Sequence, residues 1–440
     1  MVISRDASRL AGGSLDLTAV LAEQIDWQYK AFPVVDQPVQ VGAAHLQGWN
    51  ALRPPFSTPV MVLKDSALQH NIDLMADYCS ARSVSLAPHA KTPLSPQIAD
   101  RQLAAGAWGL TVANVHQARV LRQTGAQRLL VANEVIDAAS AAWLARQLDQ
   151  DPRLEMYCLV DSVRGATLLD EHLAAAGLRT RLPVLIELGI PGARCGCRTV
   201  EEALHVAQAV ARLETLRLAG VEAYENLFPA EMGEQRIAHV DRFLDRLREL
   251  ATRLDAAQFF SEAPEILVSA GGSMWFDRVA AKLTGPWDLS RPVRTVIRAG
   301  SYVTHDAAQY ERFSPLAGRS SGPPRLKQAL ELWATIISRP EPNLAILDFG
   351  KRDAAHDRGF PMPFRASTKY GLIALPQDQH EITSLNDQHA QLRLPDHSTL
   401  AVGDLVGSYI SHPCTSFGNW RLVPLVNDQY DVIGAVRSYL

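Results

Sequence analysis

The sequence predicts an α/β protein in which an eight-stranded TIM-type barrel is followed by a second, β-rich domain. Between about residues 84 and 300, short β-branched or aliphatic runs alternate with longer Ala/Leu/Arg-rich stretches, the pattern of repeated βα units around a parallel sheet. The runs number eight, at 84–88, 108–112, 128–132, 155–160, 183–187, 219–224, 265–270 and 295–298. After them the chain turns to strand-like segments LELWATIISR, NLAILDFG, QLRLP, LVGSYIS and WRLVPLV, separated by turn residues.

The stretches between the runs justify the helices. SPQIADRQLAAGA, NVHQARVLRQTGA, SVRGATLLDEHLAAAG, VEEALHVAQAVARL and GEQRIAHVDRFLDRLRELATRL repeat their apolar residues at three- and four-residue spacing, so each presents one apolar face. Eight strand-helix units in roughly 215 residues suit a barrel of this type. A doubly wound sheet has fewer strands and a Gly-rich turn after the first, and no GxGxxG accompanies Lys91. The barrel is therefore assigned to 56–300 and the β-rich domain to 301–440, with 1–55 an N-terminal segment packing on the β-rich part. RFSPLAGRSSGPPR, at 312–325, reads as a flexible loop. No internal repeat is evident.

Composition narrows the class of partner. The 440 residues are 47% hydrophobic, with 43 Lys plus Arg against 47 Asp plus Glu and a net charge of -4, so there is no electrostatic footprint for nucleic acid or an anionic membrane. A small molecule is the expected partner. The opening MVISRDASRLAGGSLDLTAV lacks a signal-peptide core, and no run of about 18 apolar residues suggests a membrane span; a cytoplasmic protein is expected. Cys79, Cys158, Cys195, Cys197 and Cys414 are too scattered for a disulfide framework. The first four read as buried or semi-buried thiols.

In such a barrel, chemistry gathers at the C-terminal ends of the strands. PHAKT follows the first run and places Lys91 at the mouth. Such a lysine is either a solvated charge or a half-buried amine whose lowered pKa suits Schiff-base chemistry. The seventh run ends in SAGGS, with Gly271, Gly272 and Ser273, and the eighth in RAGSY, with Gly300, Ser301 and Tyr302. Glycines there let backbone N–H groups approach an anion, and phosphate sites commonly use these two loops; Gly-rich turns are otherwise simply turns. Arg194 in GIPGARCGCR and Tyr224 in GVEAYEN stand past the fifth and sixth runs; each reads as an anion or cofactor contact or as an ordinary amphipathic side chain. SHPCTSFGNWR holds His412 and Cys414 two apart, so in an extended segment both face one side and could share a metal ion. Two ligands suffice only for an open site completed by water or substrate.

PHAKT, Arg-Cys-Gly after the fifth strand, SAGGS, RAGSY and SHPCT, in this order, resemble the D-serine dehydratase and D-threonine aldolase group of alanine racemase-like, fold-type III pyridoxal-phosphate (PLP) enzymes. TPVMVLKDSALQHNI fits the opening strand and D-x-x-AL-x-x-N helix of that class, and the resemblance spans about residues 57–430. It implies that Lys91 carries PLP as a Schiff base and moves the α-proton. Gly271, Gly272, Ser273, Gly300, Ser301 and Tyr302 then hold the phosphate, Tyr224 lies beside the cofactor, and Arg194 meets its phenolate oxygen. His412 and Cys414 resemble the Zn ligands of the dehydratases, whereas the aldolases resemble HxD with a harder ion such as Mn. LDFGKRD replaces the group's usual D-A-G-x-K segment and, with HDRGFPMP, resembles bacterial D-serine deaminase-like proteins. An Arg298 near the pyridine nitrogen would weaken the ring as an electron sink.

The implied activity is dehydration and deamination of a D-β-hydroxy amino acid, D-serine to pyruvate and ammonia or D-threonine to its keto acid. A thiolate suits Zn better than Mn or Mg, which favours this over the alternative, a D-threonine or D-3-hydroxyaspartate aldolase. A racemase needs no metal. A non-catalytic PLP-binding homeostasis protein resembles the bare barrel, so a roughly 140-residue C-terminal domain argues against it. The class is usually a homodimer.

Overall fold

The computed structural model describes residues 15–225, 234–319, 322 and 324–440. The chain divides into two compact units, one formed by 76–91 and 105–300, the other by 1–75, 92–104 and 301–440.

The first unit contains eight parallel strands, Ser85–Leu86, Leu110–Val112, Arg128–Glu134, Glu155–Val160, Leu182–Leu188, Leu216–Ala223, Ile266–Ala270 and Val293–Ile297. Each pairs with its sequence neighbour, and the eighth returns to the first. Closure between the first two is a bridge from His89 to Thr111, supported by Thr111 N–H donating to Pro88 O at 3.0 Å and Ala90 N–H to Thr111 O at 2.8 Å. The predicted barrel is thus present, its strands within a few residues of the predicted runs. Its lumen is filled, not open: Ala87, Leu130, Tyr157, Leu159, Leu185, Ala219, Leu267 and Val296 form one buried cluster, a packed core rather than a pore.

Local chemistry starts the barrel helices. Asn114, Asp137, Ser162 and Thr199 each accept a backbone N–H three residues on, satisfying a donor the first helical turn leaves free. Each cap stabilises its helix by about 1 kcal/mol.

The second unit is β-rich, as expected. Its main sheet runs Gly371–Ala374, Met362–Thr368, Leu405–Tyr409, Leu330–Glu341, Leu344–Leu347, Ala390–Arg393 and Glu381–Leu385. Val60–Lys64, which the sequence reading grouped with the barrel, lies here instead: it pairs antiparallel with Leu330–Glu341 and parallel with Leu422–Val426. Every residue of that strand is buried, and a run apolar except for its terminal Lys64 does not reveal which sheet takes it. Of the segment 1–55, residues 1–14 lie outside the described ones. Within the rest, Ala51 N–H donates to Tyr430 O at 2.9 Å and Trp49 O accepts from Val432 at 2.8 Å. The predicted loop at 312–325 begins with the end of a short helix, Gln309–Phe313, and Ser320, Ser321 and Pro323 fall outside the described residues. No helix among the described residues is long and apolar enough to cross a membrane.

Candidate active site

The C-terminal ends of the barrel strands collect cations around one neutral imidazole. Lys91 is half-buried, five residues beyond the first strand. His89 is held well below its ordinary pKa by burial, then by the charges of Lys91, Arg298 and Arg194. Its Nδ1 is buried without a hydrogen-bond partner. Arg194 is exposed, and its guanidinium lies 4.4 Å from the centre of the Tyr224 ring, a cation–π contact that ties the fifth and sixth loops together.

The glycines of the seventh loop are present for reasons the sequence partly concealed. Gly271 has φ +104°, a backbone conformation that side chains resist. At Gly272 a Cβ would stand 2.9 Å from the Tyr224 ring, so the aromatic ring requires a bare backbone. These amides, expected to face a phosphate, are taken up within the chain: Gly271 N–H and Gly272 N–H donate to the Glu225 carboxylate at 2.9 and 2.7 Å. Glu225 is fully buried; burial raises its pKa against the opposing pull of those amides. Gly300 is required by packing, because a Cβ there would collide with the His89 carbonyl. Ser273 is buried beside these glycines.

Below the loops the lumen carries carboxylates. Glu187 and Glu222 are direct neighbours on the fifth and sixth strands. Burial raises both, Glu222 raises Glu187 further by repulsion and Glu134 adds to both; Arg298 opposes this through an ion pair with Glu222. Arg298 is 6% exposed and also donates to Ala223 O at 3.0 Å, so its charge is already compensated within the barrel. Ligand atoms of Glu134, Glu187 and Cys195 lie within 4.8 Å of one another. Cys195 is exposed, contrary to the buried or semi-buried thiol expected, because it sits on the loop after the fifth strand rather than in the sheet.

The second unit carries the other predicted group. His412 and Cys414 do converge, but not along an extended segment: Pro413–Ser416 is a helical turn with His412 as its N-cap. Burial pushes the Cys414 thiol up, yet hydrogen bonds from His412, Ser301 and Thr92 outweigh it and bring it down to about 7. Thr92 Oγ1 is 3.2 Å and Ser301 Oγ 3.5 Å from its Sγ. Thr92 directly follows Lys91 in the chain. His412 Nδ1 pairs with Asp357 Oδ2 at 2.7 Å, which fixes the ring and leaves Nε2 to the thiol side. Tyr302 is buried, and its hydroxyl accepts from Gln102 at 2.8 Å.

Sequence reasoning missed His89, Glu225 and Asp357. His89 and Asp357 stood inside quoted motifs, PHAKT and HDRG; Glu225 adjoined Tyr224, and a carboxylate beside a Gly-rich loop was the available signal. The groups present fit an anionic aldehyde cofactor: a half-buried amine, an arginine over an aromatic ring, and an orphaned buried imidazole nitrogen at one strand end. A thiol lowered to about 7 opposite an imidazole suits a soft divalent ion in an open site.

Comparison with known proteins agrees with this geometry. Residues 63–284 match the family described as alanine racemase, N-terminal domain, and 329–426 match the putative serine dehydratase domain. The chain is 27% identical to 3-hydroxy-D-aspartate aldolase of Paracoccus denitrificans (strain Pd 1222), covering 78% of this chain and 85% of that protein. It is 30% identical to D-threo-3-hydroxyaspartate dehydratase of Delftia sp. (strain HT23), covering 69% and 74%. The crystal structure of D-threonine aldolase from Filomicrobium marinum superimposes with a TM-score of 0.71 at 26% identity, covering 87% of this chain and 95% of that one. With barrel, second domain and relatives in agreement, the chain belongs to the alanine racemase-like, fold-type III PLP enzymes, in the branch that carries a serine dehydratase-type C-terminal domain.

Proposed function

We propose that the protein is a PLP- and Zn-dependent dehydratase that deaminates a D-β-hydroxy amino acid, D-serine or D-threonine, to a keto acid and ammonia. The observation that carries this reading is the pairing of the Cys414 thiol with His412, whose ring Asp357 holds at 2.7 Å, since a thiolate–imidazole pair selects Zn over a hard ion.

When bound, the cofactor supplies an electron sink for the α-carbon and the metal supplies a Lewis acid for the β-oxygen, worth several kcal/mol in typical metal catalysis. The chain's residues do the rest. Lys91 Nζ holds the cofactor and then takes the α-proton. Arg194 holds the phenolate side, its guanidinium kept in place by Tyr224. Ser273 and Ser301 offer hydroxyls to the phosphate, with the backbone around Gly271, Gly272 and Gly300 and with Tyr302 shaping the loops. His412 and Cys414 hold the ion, and Asp357 keeps the imidazole turned toward it. A homodimer in the cytoplasm belongs to the same proposal.

The second reading, a D-threonine or D-3-hydroxyaspartate aldolase, is favoured by the names of two of the relatives above. Incubation with D- and L-serine, D-threonine and D-threo-3-hydroxyaspartate, followed by product analysis, separates the two. A keto acid plus ammonia from the D-substrate, abolished by chelation and restored by Zn, is the expected result. Glycine plus an aldehyde overturns it in favour of the aldolase.

A further inference from the structure

The third and fifth barrel strands deliver two carboxyls to the lumen. Leu130, Ala132 and Glu134 alternate along the third, and the first two pack in the lumen cluster. On the fifth, Glu187 stands two residues past Leu185 of that cluster. Side chains two apart on a strand face the same side, so both carboxyls lie on the C-terminal side of the apolar layer. Cys195 reaches them from the loop after the fifth strand, where Cys197 bridges back to Leu188. One ligand atom from each of Glu134, Glu187 and Cys195 lies within 4.8 Å of the other two. In the eight-strand order the fifth strand stands opposite the first, which leads to Lys91, and the third opposite the seventh, which leads to Gly271 and Gly272.

Negative charge is in excess here. Glu222, directly beside Glu187 in the ladder, is compensated by Arg298, but Glu134 and Glu187 have no ion pair among the described residues. Glu187 bonds to Glu134, which needs a proton on one of them, because an ionised carboxylate only accepts. That proton still leaves two acceptors unmet: Glu134 Oε1 and Glu222 Oε2 are buried with no hydrogen-bond partner. Glu222 is 1% exposed, and an acceptor cut off from both water and a donor is costly. The charge of Glu134 reaches Glu222, so the unmet oxygen belongs to the same group of ligands.

We propose that Glu134, Glu187 and Cys195 bind a divalent ion of the zinc class, with the unmet oxygen of Glu222 as a further contact. Carboxylate oxygen and thiolate sulfur are both zinc ligands, and the sulfur disfavours Mg or Ca, which take oxygen donors. On binding, the Cys195 sulfur bonds to the ion as a thiolate and its proton leaves to solvent, together with the proton shared by Glu134 and Glu187. The exposure of Cys195 gives the ion its way in. The ion fastens the loop after the fifth strand to the lumen, one residue from Arg194. The group shares no residue with His412 and Cys414, and its binding does not depend on the reaction proposed above.

The test uses full-length, cofactor-loaded protein and zinc chloride as the probe. A His412→Ala, Cys414→Ser double variant, stripped with chelator, reloaded with zinc and desalted, is expected to retain one zinc per chain by elemental analysis. Adding Cys195→Ala to that background is expected to weaken zinc binding in calorimetry at least tenfold, the loss that even a change beyond the ligands typically brings. In zinc-soaked crystals of the unmodified protein, an anomalous peak at the zinc edge is expected among Glu134, Glu187 and Cys195, a readout that no variant's folding affects. A peak there with none at His412 and Cys414 upholds this site while counting against the zinc reading of the reaction. Any one of three results overturns the proposal: a double variant without zinc, an affinity unchanged by Cys195→Ala, or anomalous density confined to other places.

Discussion

The two ends of one barrel use the same residue types to opposite effect. At the C-terminal mouth, Arg298 and Glu222 pair at 6% and 1% side-chain exposure. At the N-terminal base, Arg128 and Glu155 pair at 34% and 41%. A buried pair cannot lose one partner without stranding the other's charge, whereas a solvated pair hands it back to water. The mouth is thus built so that each charge depends on its neighbours, which is what holds reacting groups at defined protonation. The base tolerates independent charges. His89, buried and held neutral by its surroundings, belongs to the first kind of environment, with the half-buried Lys91 two residues on, and this is why functional chemistry is expected there.

Replacing Lys91 with Ala should give the largest effect. Loss of the cofactor amine and the α-proton base is expected to lower kcat/KM by at least the roughly 10²–10⁴-fold that a positioned acid–base group supplies. Absorbance near the cofactor's visible band and product formation should vanish together. Retained turnover would break the contrast between the two ends at its root.

Next in size is Glu222→Gln. Removing one partner strands Arg298 in a site closed to water, so unfolding free energy is expected to fall by about 3–5 kcal/mol, measured by denaturant titration. A double variant that also replaces Arg298 with Met should recover most of that loss. Failure of the recovery would show that Glu222 acts through something other than its arginine.

Much of this was legible from the residues alone, for a physical reason. Strands of a parallel barrel are buried on both faces, so they stand out as apolar runs, and the loops after them hold PHAKT, SAGGS and RAGSY in chain order. What pairs across long separations was not legible. Val60–Lys64 pairs with Leu330–Glu341 across the whole of the intervening barrel sequence, and Glu225 meets Gly271 and Gly272 across 46 and 47 residues. His412 and Cys414 were found for a geometry they do not adopt, since Pro413 opens a helical turn. The pair of residue types carried the signal where the backbone expectation did not.

Glu225 gives the next test. Its two bonds to consecutive amides pin the seventh loop from inside, and hydrogen bonds to a charged group contribute about 1.5–3 kcal/mol. Glu225→Ala is expected to weaken PLP binding roughly tenfold, and Glu225→Gln less, because one amide oxygen still accepts. Spectrophotometric cofactor titration measures both; unchanged affinity in the alanine variant would show that the loop holds its shape unaided.

Glu187 predicts a pH effect of the mouth alone. Burial and Glu222 raise its pKa above the ordinary 4.5. Below that pH the carboxyl is protonated in folded and unfolded chains alike and costs nothing. As pH rises past it, the unfolded chain ionises first, so native stability falls toward the raised folded value. Glu187→Gln removes that slope and should be more stable than the parent at pH 8 by on the order of 1 kcal/mol, with little difference at pH 4. A parallel pH dependence of Tm in both proteins would contradict the assigned burial.

The smallest effect belongs to the base. Arg128→Met breaks the ion pair with Glu155, but Glu155 retains Tyr157, whose hydroxyl donates at 3.0 Å, and both partners are more than a third open to water. Arg128 also covers the Trp108 ring, its guanidinium 4.7 Å from the centre, and methionine replaces part of that apolar contact. Stability should change by less than about 1 kcal/mol and catalytic turnover not at all. Should this variant instead lose several kcal/mol, the base would be as interdependent as the mouth, and exposure would no longer explain why the chemistry sits at one end of the barrel.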